Sequence, residues 1–420
     1  MEAVTVYYDS EVELDLNIGQ LDEDTYIFRM PACTILIDAV FSGEPEPEET
    51  IIASGVSGDT LWSISDSGVM TVTGAGAMEN YEGRSKMPWY DYREQVVSVV
   101  IEPGVTAIGD YAFYGMANLK EISLPEGLLT IGDYAFKNDP SLDGVVLPAG
   151  LKRIGESAFY GCAALSEIVI PEGIYTIWGY TFKNCSALAS VSLPKTLIKI
   201  DEAAFYGTAL KELDIPDDVA IIGTYCFKNC TALERVSLPA KLGQVREAAF
   251  YGTGLKSLEI PEGVSFVGPY AFKNCAALAA VALPESLCYI GESAFYNCTC
   301  LTVLDVPGQV ERIDPYAFKS CTGLVEVNLP ESLKMLGESA FNSCTALEAM
   351  TIPASVTEIG EYCFSRCAGL RKLVFTGDAP VIGTGAFKEM EAVAYYPGAK
   401  ASWTAQVRQS YGGSITWVAV

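Results

Sequence analysis

Eight cysteines recur at one position of a repeated segment, and they are the residues whose spacing most directly suggests chemistry. Each lies three residues after a phenylalanine. Thiolates repeated in this way could bind a soft metal or form disulfide bonds. The eight are Cys162, Cys185, Cys230, Cys275, Cys298, Cys321, Cys344 and Cys367.

The same position tolerates other residue types, which argues against a ligand role. Thr208, Thr253, Met116 and Asp139 occupy it in other repeats. Stacked coils would place successive Cβ atoms about 4.8 Å apart, beyond the usual disulfide range, with parallel side chains that do not converge on a metal. We therefore predict buried, reduced thiols and no metal or cofactor.

Three further cysteine pairs are close in sequence and leave an alternative open. They could bind a soft metal or oxidise, although none has a second matching pair nearby. The pairs are Cys226 with Cys230, Cys363 with Cys367, and Cys298 with Cys300.

The chain contains no histidine, which excludes Ser-His-Asp and Cys-His catalysis and every histidine-containing zinc site. Carboxylates remain as acid and base groups, as in glycoside hydrolysis. Their spacing selects no pair among the 53 acidic residues, and no phosphate-binding loop or nucleophile elbow occurs. We predict a protein without enzymatic activity.

Tyrosine and lysine alternate around the phenylalanines with a period of two repeats. One repeat type has Tyr two residues before Phe and Lys one after it; the other has Glu three before and Tyr one after. We name these tyrosines and lysines the tyrosine–lysine edge, and we predict it as the binding edge: Tyr134, Lys137, Tyr160, Tyr180, Lys183, Tyr206, Tyr225, Lys228, Tyr251, Tyr270 and Lys273, with Tyr296, Tyr316 and Lys319 continuing the pattern.

Two interpretations of this edge are open. A duplicated two-repeat unit would simply give a charged, solvated surface. Alternatively, the edge is an adhesive stripe, because tyrosine is enriched at protein interfaces and regular repetition gives avidity. The position two residues before each proline, for example Ser192, Asp214 and Ser237, carries no aromatic residue in any repeat.

The element that positions these residues is a repeat of 22 or 23 residues. An Ile-x-Leu pair before proline alternates at period two and predicts a short strand, which the proline ends. A bend and a short helical or irregular turn then return the chain. Thirteen phenylalanines mark the coils: Phe113, Phe136, Phe159, Phe182, Phe205, Phe227, Phe250, Phe272, Phe295, Phe318, Phe341, Phe364 and Phe387.

One coil cannot bury its own apolar face, so the coils must stack into a solenoid with parallel β-sheet and capped ends. Four of the five tryptophans, all but Trp178, lie in the expected caps. We predict five segments: a β fragment at 1–42, an acidic Pro-rich linker at 43–52, an N-terminal β cap at 53–98, the solenoid at 99–390 and a C-terminal cap at 391–420.

Composition limits the partners. The chain has 27 basic and 53 acidic residues, a formal net charge of −26. This balance repels nucleic acid and anionic lipid. No apolar stretch is long enough to span a bilayer, so we expect neither nucleic-acid binding nor direct membrane insertion.

The unit L-P-x-x-L-x-x-I-G-x-x-A-F-x-x-C, with Pro88-Trp89-Tyr90 before it and Tyr411-Gly412-Gly413 after it, resembles the BspA-type leucine-rich-repeat family of bacterial surface proteins. Tyr26 to Phe41 is similar to the tail of an internalin-type B-repeat module. The resemblance implies a right-handed leucine-rich-repeat coil, an extracellular or cell-surface location, and adhesion to matrix proteins, glycoproteins or other cells. The alternative is a structural spacer that presents other modules of a larger surface protein.

Overall fold

A computed structural model describes residues 49–420 fully, and before them only the backbone of five short strands. The chain divides into two units, Met1–Thr50 and Ile51–Val420. Most of the fragment expected at 1–42, and the linker up to residue 48, lie outside the described residues. The five strands are Val4–Tyr8, paired antiparallel with Val12–Glu13 and Ile35–Ala39, and Gly19–Gln20, paired antiparallel with Tyr26–Ile27.

The segment before each proline forms a strand of the first parallel ladder. Side chains alternate as predicted: in Glu167–Val169 the central isoleucine is buried and its neighbours are exposed. Between residues 167 and 328 the hydrogen-bonded strands come in pairs. The strands are Ser98–Ile101, Glu121–Ser123, Gly144–Val145, Glu167–Val169, Ser190–Ser192, Glu212–Asp214, Arg235–Ser237, Ser257–Glu259, Ala280–Ala282, Val303–Asp305, Glu326–Asn328, Ala349–Ile352, Lys372–Phe375, Glu391–Tyr396 and Ser414–Ala419.

A second parallel ladder is formed by the Ile-Gly segment of each coil. In-register pairing places Ile177 beside Ile200 of the next coil, so both remain buried. Its strands are Gly76–Ala77, Val105–Ile108, Thr130–Ile131, Arg153–Ile154, Thr176–Ile177, Lys199–Ile200, Ile221–Ile222, Gln244–Val245, Phe266–Val267, Tyr289–Ile290, Arg312–Ile313, Met335–Leu336, Glu358–Ile359 and Val381–Ile382.

The third side of each coil, which carries the Ala-Phe pair, is an irregular turn rather than a strand. Residues two before and two after the phenylalanine have positive φ, as at Tyr134 (φ 59°) and Asn138 (φ 64°). The backbone N–H of Phe136 donates to the carbonyl of Ala158 in the next coil (2.8 Å), and Asn138 donates likewise to Tyr160 (2.7 Å). The turns of successive coils are therefore joined by backbone hydrogen bonds, and none of these turns is helical.

The core is a continuous stack of the thirteen phenylalanines. Phe136 and Phe159 have ring centroids 5.2 Å apart and planes inclined by 11°, and the widest step, Phe364 to Phe387, is 6.2 Å. Burying one such ring contributes on the order of 2 kcal/mol to folding. The repeat that produces the fold is thus also the repeat that forms its core, and the predicted solenoid is confirmed.

Glycine before the phenylalanine turn allows the coils to approach. A Cβ atom built on Gly155 would lie 2.5 Å from the backbone nitrogen of Asp133 in the preceding coil. Such a distance is far below van der Waals contact, so a side chain there requires the backbone to move. Trp178 occupies the equivalent position one coil later.

Aromatic residues close both ends of the second unit. At the N-terminal end, the antiparallel strands Ile51–Ser57, Thr60–Ser65 and Val69–Gly74 and the short 3-10 helices Arg84–Lys86 and Tyr90–Tyr92 precede the first coil. There the ring of Trp89 stacks on Phe113 (6.2 Å), and its Nε1 donates to the carbonyl of Ala112 (2.8 Å). At the other end Trp403 and Trp417 pack against Phe375. These aromatic side chains therefore shield the apolar core from water at each end of the solenoid.

Candidate recognition surface

Backbone conformation sets the alternation of the tyrosine–lysine edge. In one coil type Tyr180 takes the left-handed position before phenylalanine (φ 59°). In the next coil Ala203 takes that position (φ 48°), and the tyrosine follows the phenylalanine as Tyr206. The tyrosines of the two coil types therefore form two separate columns along the solenoid, and the lysines lie between these columns.

Each lysine of the edge lies over one tyrosine ring of its own coil and one of an adjacent coil. The Lys183 ammonium is 5.2 Å from the ring centroid of Tyr180 and 4.7 Å from that of Tyr206. Lys228 has the same arrangement, 5.2 Å from Tyr225 and 4.7 Å from Tyr251. All eleven predicted edge residues take part in such cation–π contacts, so the structure brings them together as one stripe.

Glutamates of the alternate coils accept hydrogen bonds from these tyrosines. The Tyr180 hydroxyl donates to Glu202, and that of Tyr270 donates to Glu292 at 3.0 Å. The hydrogen bond to the Glu202 carboxylate, together with partial burial, raises the pKa of Tyr180 to about 12. Sequence reasoning placed the glutamates beside the stripe but did not assign this contact.

Asparagines complete the network and were missed from the sequence. Asn229 Nδ2 donates to the hydroxyl of Tyr206 at 3.0 Å, and Asn274 Nδ2 donates to that of Tyr251 at 3.0 Å. The available signal was asparagine two residues after phenylalanine, since asparagine tolerates the left-handed conformation found there. The half-buried edge side chains are thus held by their neighbours before any partner arrives.

The first-ladder surface is polar and has a shallow groove of about 960 Å³. Arg235 lies on it between two acids, with Nη1 at 2.8 Å from Asp214 and Nη2 at 3.1 Å from Glu212. Such exposed ion pairs contribute little stability or affinity by themselves. The groove lining includes no aromatic residue.

An exposed apolar patch beside the second ladder was not identified from the sequence. Tyr175 is 57 % exposed, Ile198 is 50 % exposed and Trp178 is 39 % exposed. Tyr175 and Ile198 occupy matching places in adjacent coils, where the Ile198 N–H donates to the Tyr175 carbonyl (2.9 Å). Trp178 precedes Tyr180 by two residues, so the patch and the tyrosine–lysine edge share a coil. The signal was a tryptophan at a position that is glycine in most coils, for example Gly155.

All eight cysteines of the repeated position are buried, and their thiols contact backbone. Cys185 Sγ donates to the carbonyl oxygen of Phe159 at 3.0 Å, and Cys344 Sγ to that of Phe318 at 3.2 Å. Burial raises the pKa of Cys185 to about 12. Within residues 49–420 all twelve cysteines are free, and no cluster of three or more Cys, Asp or Glu could hold a metal ion.

Two of the three cysteine pairs left open above have both thiols buried: Cys226 with Cys230, and Cys363 with Cys367. In the third pair Cys298 is buried and Cys300 is exposed. Cys288 is the other exposed thiol among the described residues. None of the helices described in residues 49–420 has the length and hydropathy needed to cross a membrane.

The chain is similar to several solved structures. A leucine-rich repeat protein from Bacteroides ovatus is 26 % identical, with a TM-score of 0.72, covering 89 % of this chain and all of that one. One from Eubacterium ventriosum is 23 % identical, with a TM-score of 0.51, over 75 % of this chain and 95 % of that one. A leucine rich cell surface protein from Faecalibacterium prausnitzii is 26 % identical, with a TM-score of 0.47, over 78 % and 95 %.

No curated protein is a significant match to this sequence. The model of the "BspA type Leucine rich repeat region (6 copies)" matches residues 89–208, 152–279, 198–324 and 265–394. These overlapping matches span well over half of the chain, and their repeat is the coil seen in the structure. The chain therefore belongs to the BspA-type leucine-rich-repeat family.

Proposed function

We propose that this protein is a non-enzymatic recognition scaffold of a bacterial cell surface, and that its tyrosine–lysine edge binds a protein or glycoprotein. The observation that carries the proposal is the pre-ordered stripe itself. Tyr180 is held by Glu202 and Lys183, so little side-chain freedom is lost when a partner binds. Repetition every two coils adds avidity.

The apolar patch supports the same placement. Tryptophan and tyrosine are the residue types that most often dominate binding energy at interfaces. Trp178 and Tyr175 are both exposed, and Trp178 lies two residues before Tyr180 of the edge. The first-ladder groove lacks such anchors, so we assign it a minor role.

Family membership supports the proposed surface location and the scaffold role. The net charge of −26 disfavours nucleic acid and anionic membranes as partners. A ligand that contacts the lysines of the edge would carry acidic groups, such as the carboxylates of a glycoprotein. The rest of the ligand's surface would be largely neutral, because the acidic chain repels a strongly negative partner.

The test begins with a screen of the whole chain against immobilised matrix proteins and glycans. Affinities for each hit are then measured for three variants. The edge variant carries Tyr160→Ser, Lys183→Ala, Tyr206→Ser and Lys228→Ala; the patch variant carries Trp178→Gly; and the matched control on the first ladder carries Ser192→Ala, Asp214→Ala, Ser237→Ala and Glu259→Ala.

We expect the edge variant to lose at least about tenfold in affinity, corresponding to about 1.4 kcal/mol, while the first-ladder variant binds normally. Circular dichroism checks that all three remain folded. Loss confined to the first-ladder variant would move the site to that face. A chain that binds nothing in the screen would favour the structural spacer.

A further inference from the structure

Asp139 is an anomaly in the buried column of cysteines. It is fully buried, and its Oδ1 accepts the backbone N–H of Met116 at 2.7 Å. Its Oδ2 has no hydrogen-bond partner in residues 49–420. Burial raises the pKa of Asp139 well above its usual value, and the titratable group that faces it is the Cys162 thiol of the next coil. Burial without a charged partner among the described residues therefore favours the neutral carboxylic acid over the carboxylate.

The residue after Asp139 is proline, and the peptide bond between them has a distinctive chemistry. The proline nitrogen is a tertiary amide and accepts a proton more readily than other peptide nitrogens. A neighbouring carboxylic acid supplies that proton and a nucleophilic oxygen in the same group. The Asp139 carbonyl oxygen also accepts the N–H of Leu142 at 3.2 Å, which stabilises negative charge developing on that oxygen.

We propose that the Asp139–Pro140 peptide bond is a self-cleavage site of the folded protein in mild acid. The Asp139 carboxyl oxygen bonds to the Asp139 main-chain carbonyl carbon and forms a five-membered anhydride. The bond from this carbon to the Pro140 nitrogen breaks, and the nitrogen takes the carboxyl proton and leaves as a secondary amine. Water then hydrolyses the anhydride, giving Asp139 as a new C-terminus.

The chain carries an internal comparison, because Asp314–Pro315 is the other Asp-Pro bond in the sequence. The Asp314 carboxylate is ion-paired with Arg312, whose Nε is 2.5 Å away, and it also accepts the hydroxyl hydrogen of Tyr289. Both carboxylate oxygens of Asp314 therefore have a partner. Asp139 has no charged partner among the described residues, so the two bonds differ in the surroundings of the acid and not in their covalent structure.

Cleavage would separate residues 1–139, which contain the N-terminal cap and the first coils, from residues 140–420, which contain most of the tyrosine–lysine edge. This inference is independent of the proposed recognition function. A chain that binds no ligand could still cleave, and a binding chain could remain intact.

The experiment incubates the purified full chain over a pH series from about 4 to 7 and follows fragments by intact-mass spectrometry, with circular dichroism to monitor folding. We expect folded protein to give fragments 1–139 and 140–420 at least about tenfold faster than fragments 1–314 and 315–420. In urea the two bonds should cleave at similar rates, because the environments are lost.

Two variants sharpen the test. Asp139→Asn keeps an oxygen for the Met116 N–H but removes the acid, and it should abolish the 140–420 fragment; Asp314→Asn should leave it unchanged. Equal cleavage of both bonds in folded protein, persistence of the fragment in Asp139→Asn, or cleavage seen only in urea would each overturn the proposal.

Discussion

Replacing one phenylalanine of the stack tests whether the aromatic column holds the coils together. Phe227 is fully buried between Phe205, at 5.7 Å with parallel rings, and Phe250, at 5.3 Å with an inclination of 15°. We expect Phe227→Ala to lower the free energy of unfolding by about 3–5 kcal/mol, from lost burial and the cavity left behind.

Stacking is a separable part of this loss. Two ring contacts disappear, each contributing about 0.5–1.5 kcal/mol beyond burial. Phe227→Leu retains most of the apolar volume but removes both contacts, so its loss should be about 1–3 kcal/mol. As a control, Val381→Ala alters a side chain that is 73 % exposed and should change stability by less than about 0.5 kcal/mol.

Urea unfolding followed by far-ultraviolet circular dichroism measures these differences. Because each coil contacts only its neighbours, the transition of Phe227→Ala should also broaden as the array loses cooperativity. If Phe227→Ala costs no more than Val381→Ala, the stack does not stabilise the array. Equal losses of unfolding free energy for Phe227→Ala and Phe227→Leu would show that the apolar volume retained by leucine contributes nothing. That result would contradict the division of the loss into burial and ring stacking.

Other predictions concern thiols, pH and the cap. In the native protein a thiol reagent should label Cys288 and Cys300, with the buried column reacting only after unfolding; zinc, or disulfides between coils, would contradict this. Because the folded pKa of Tyr180 lies above its unfolded value near 10, its stabilising contribution is complete below about pH 10 and is lost as pH rises through about 12. Ultraviolet titration should show Glu202→Gln lowering that pKa. Truncation after Phe387 should expose core and cause aggregation, seen by light scattering; a soluble, unchanged fragment would refute it.

Much of the fold could be predicted because one spacing controls it. The step between phenylalanines, and the proline that ends each strand, predict coils whose apolar faces must stack. The sequence could not decide between helix and irregular turn around phenylalanine. That choice depends on left-handed residues such as Tyr134 and Asn138, whose conformation is stabilised by backbone bonds from the next coil.

The candidate site was predicted as a set of positions but not as a network. Placing the Tyr180 hydroxyl on Glu202 requires the exact offset between two coils, which spacing alone does not provide. The exposure of Trp178 was missed because it depends on how the coil accommodates a side chain at a position that is glycine in most coils. The raised pKa of Asp139 depends on how deeply the carboxyl is buried and on the lack of a partner for Oδ2 within residues 49–420, and neither can be inferred from a repeated sequence position.

The hydrogen bonds of the phenylalanine turns all point the same way along the solenoid, so its two ends differ. Each turn donates its N–H groups forward and accepts from behind, so the first turn presents spare carbonyls and the last presents spare N–H groups. The indole of Trp89 donates to one such carbonyl, on Ala112, while the carbonyl of Tyr411 accepts from Phe387 at 3.3 Å. The two caps are therefore not interchangeable, and the array can lengthen only by inserting units in the same orientation. Duplication of a coil pair meets that condition without altering either cap.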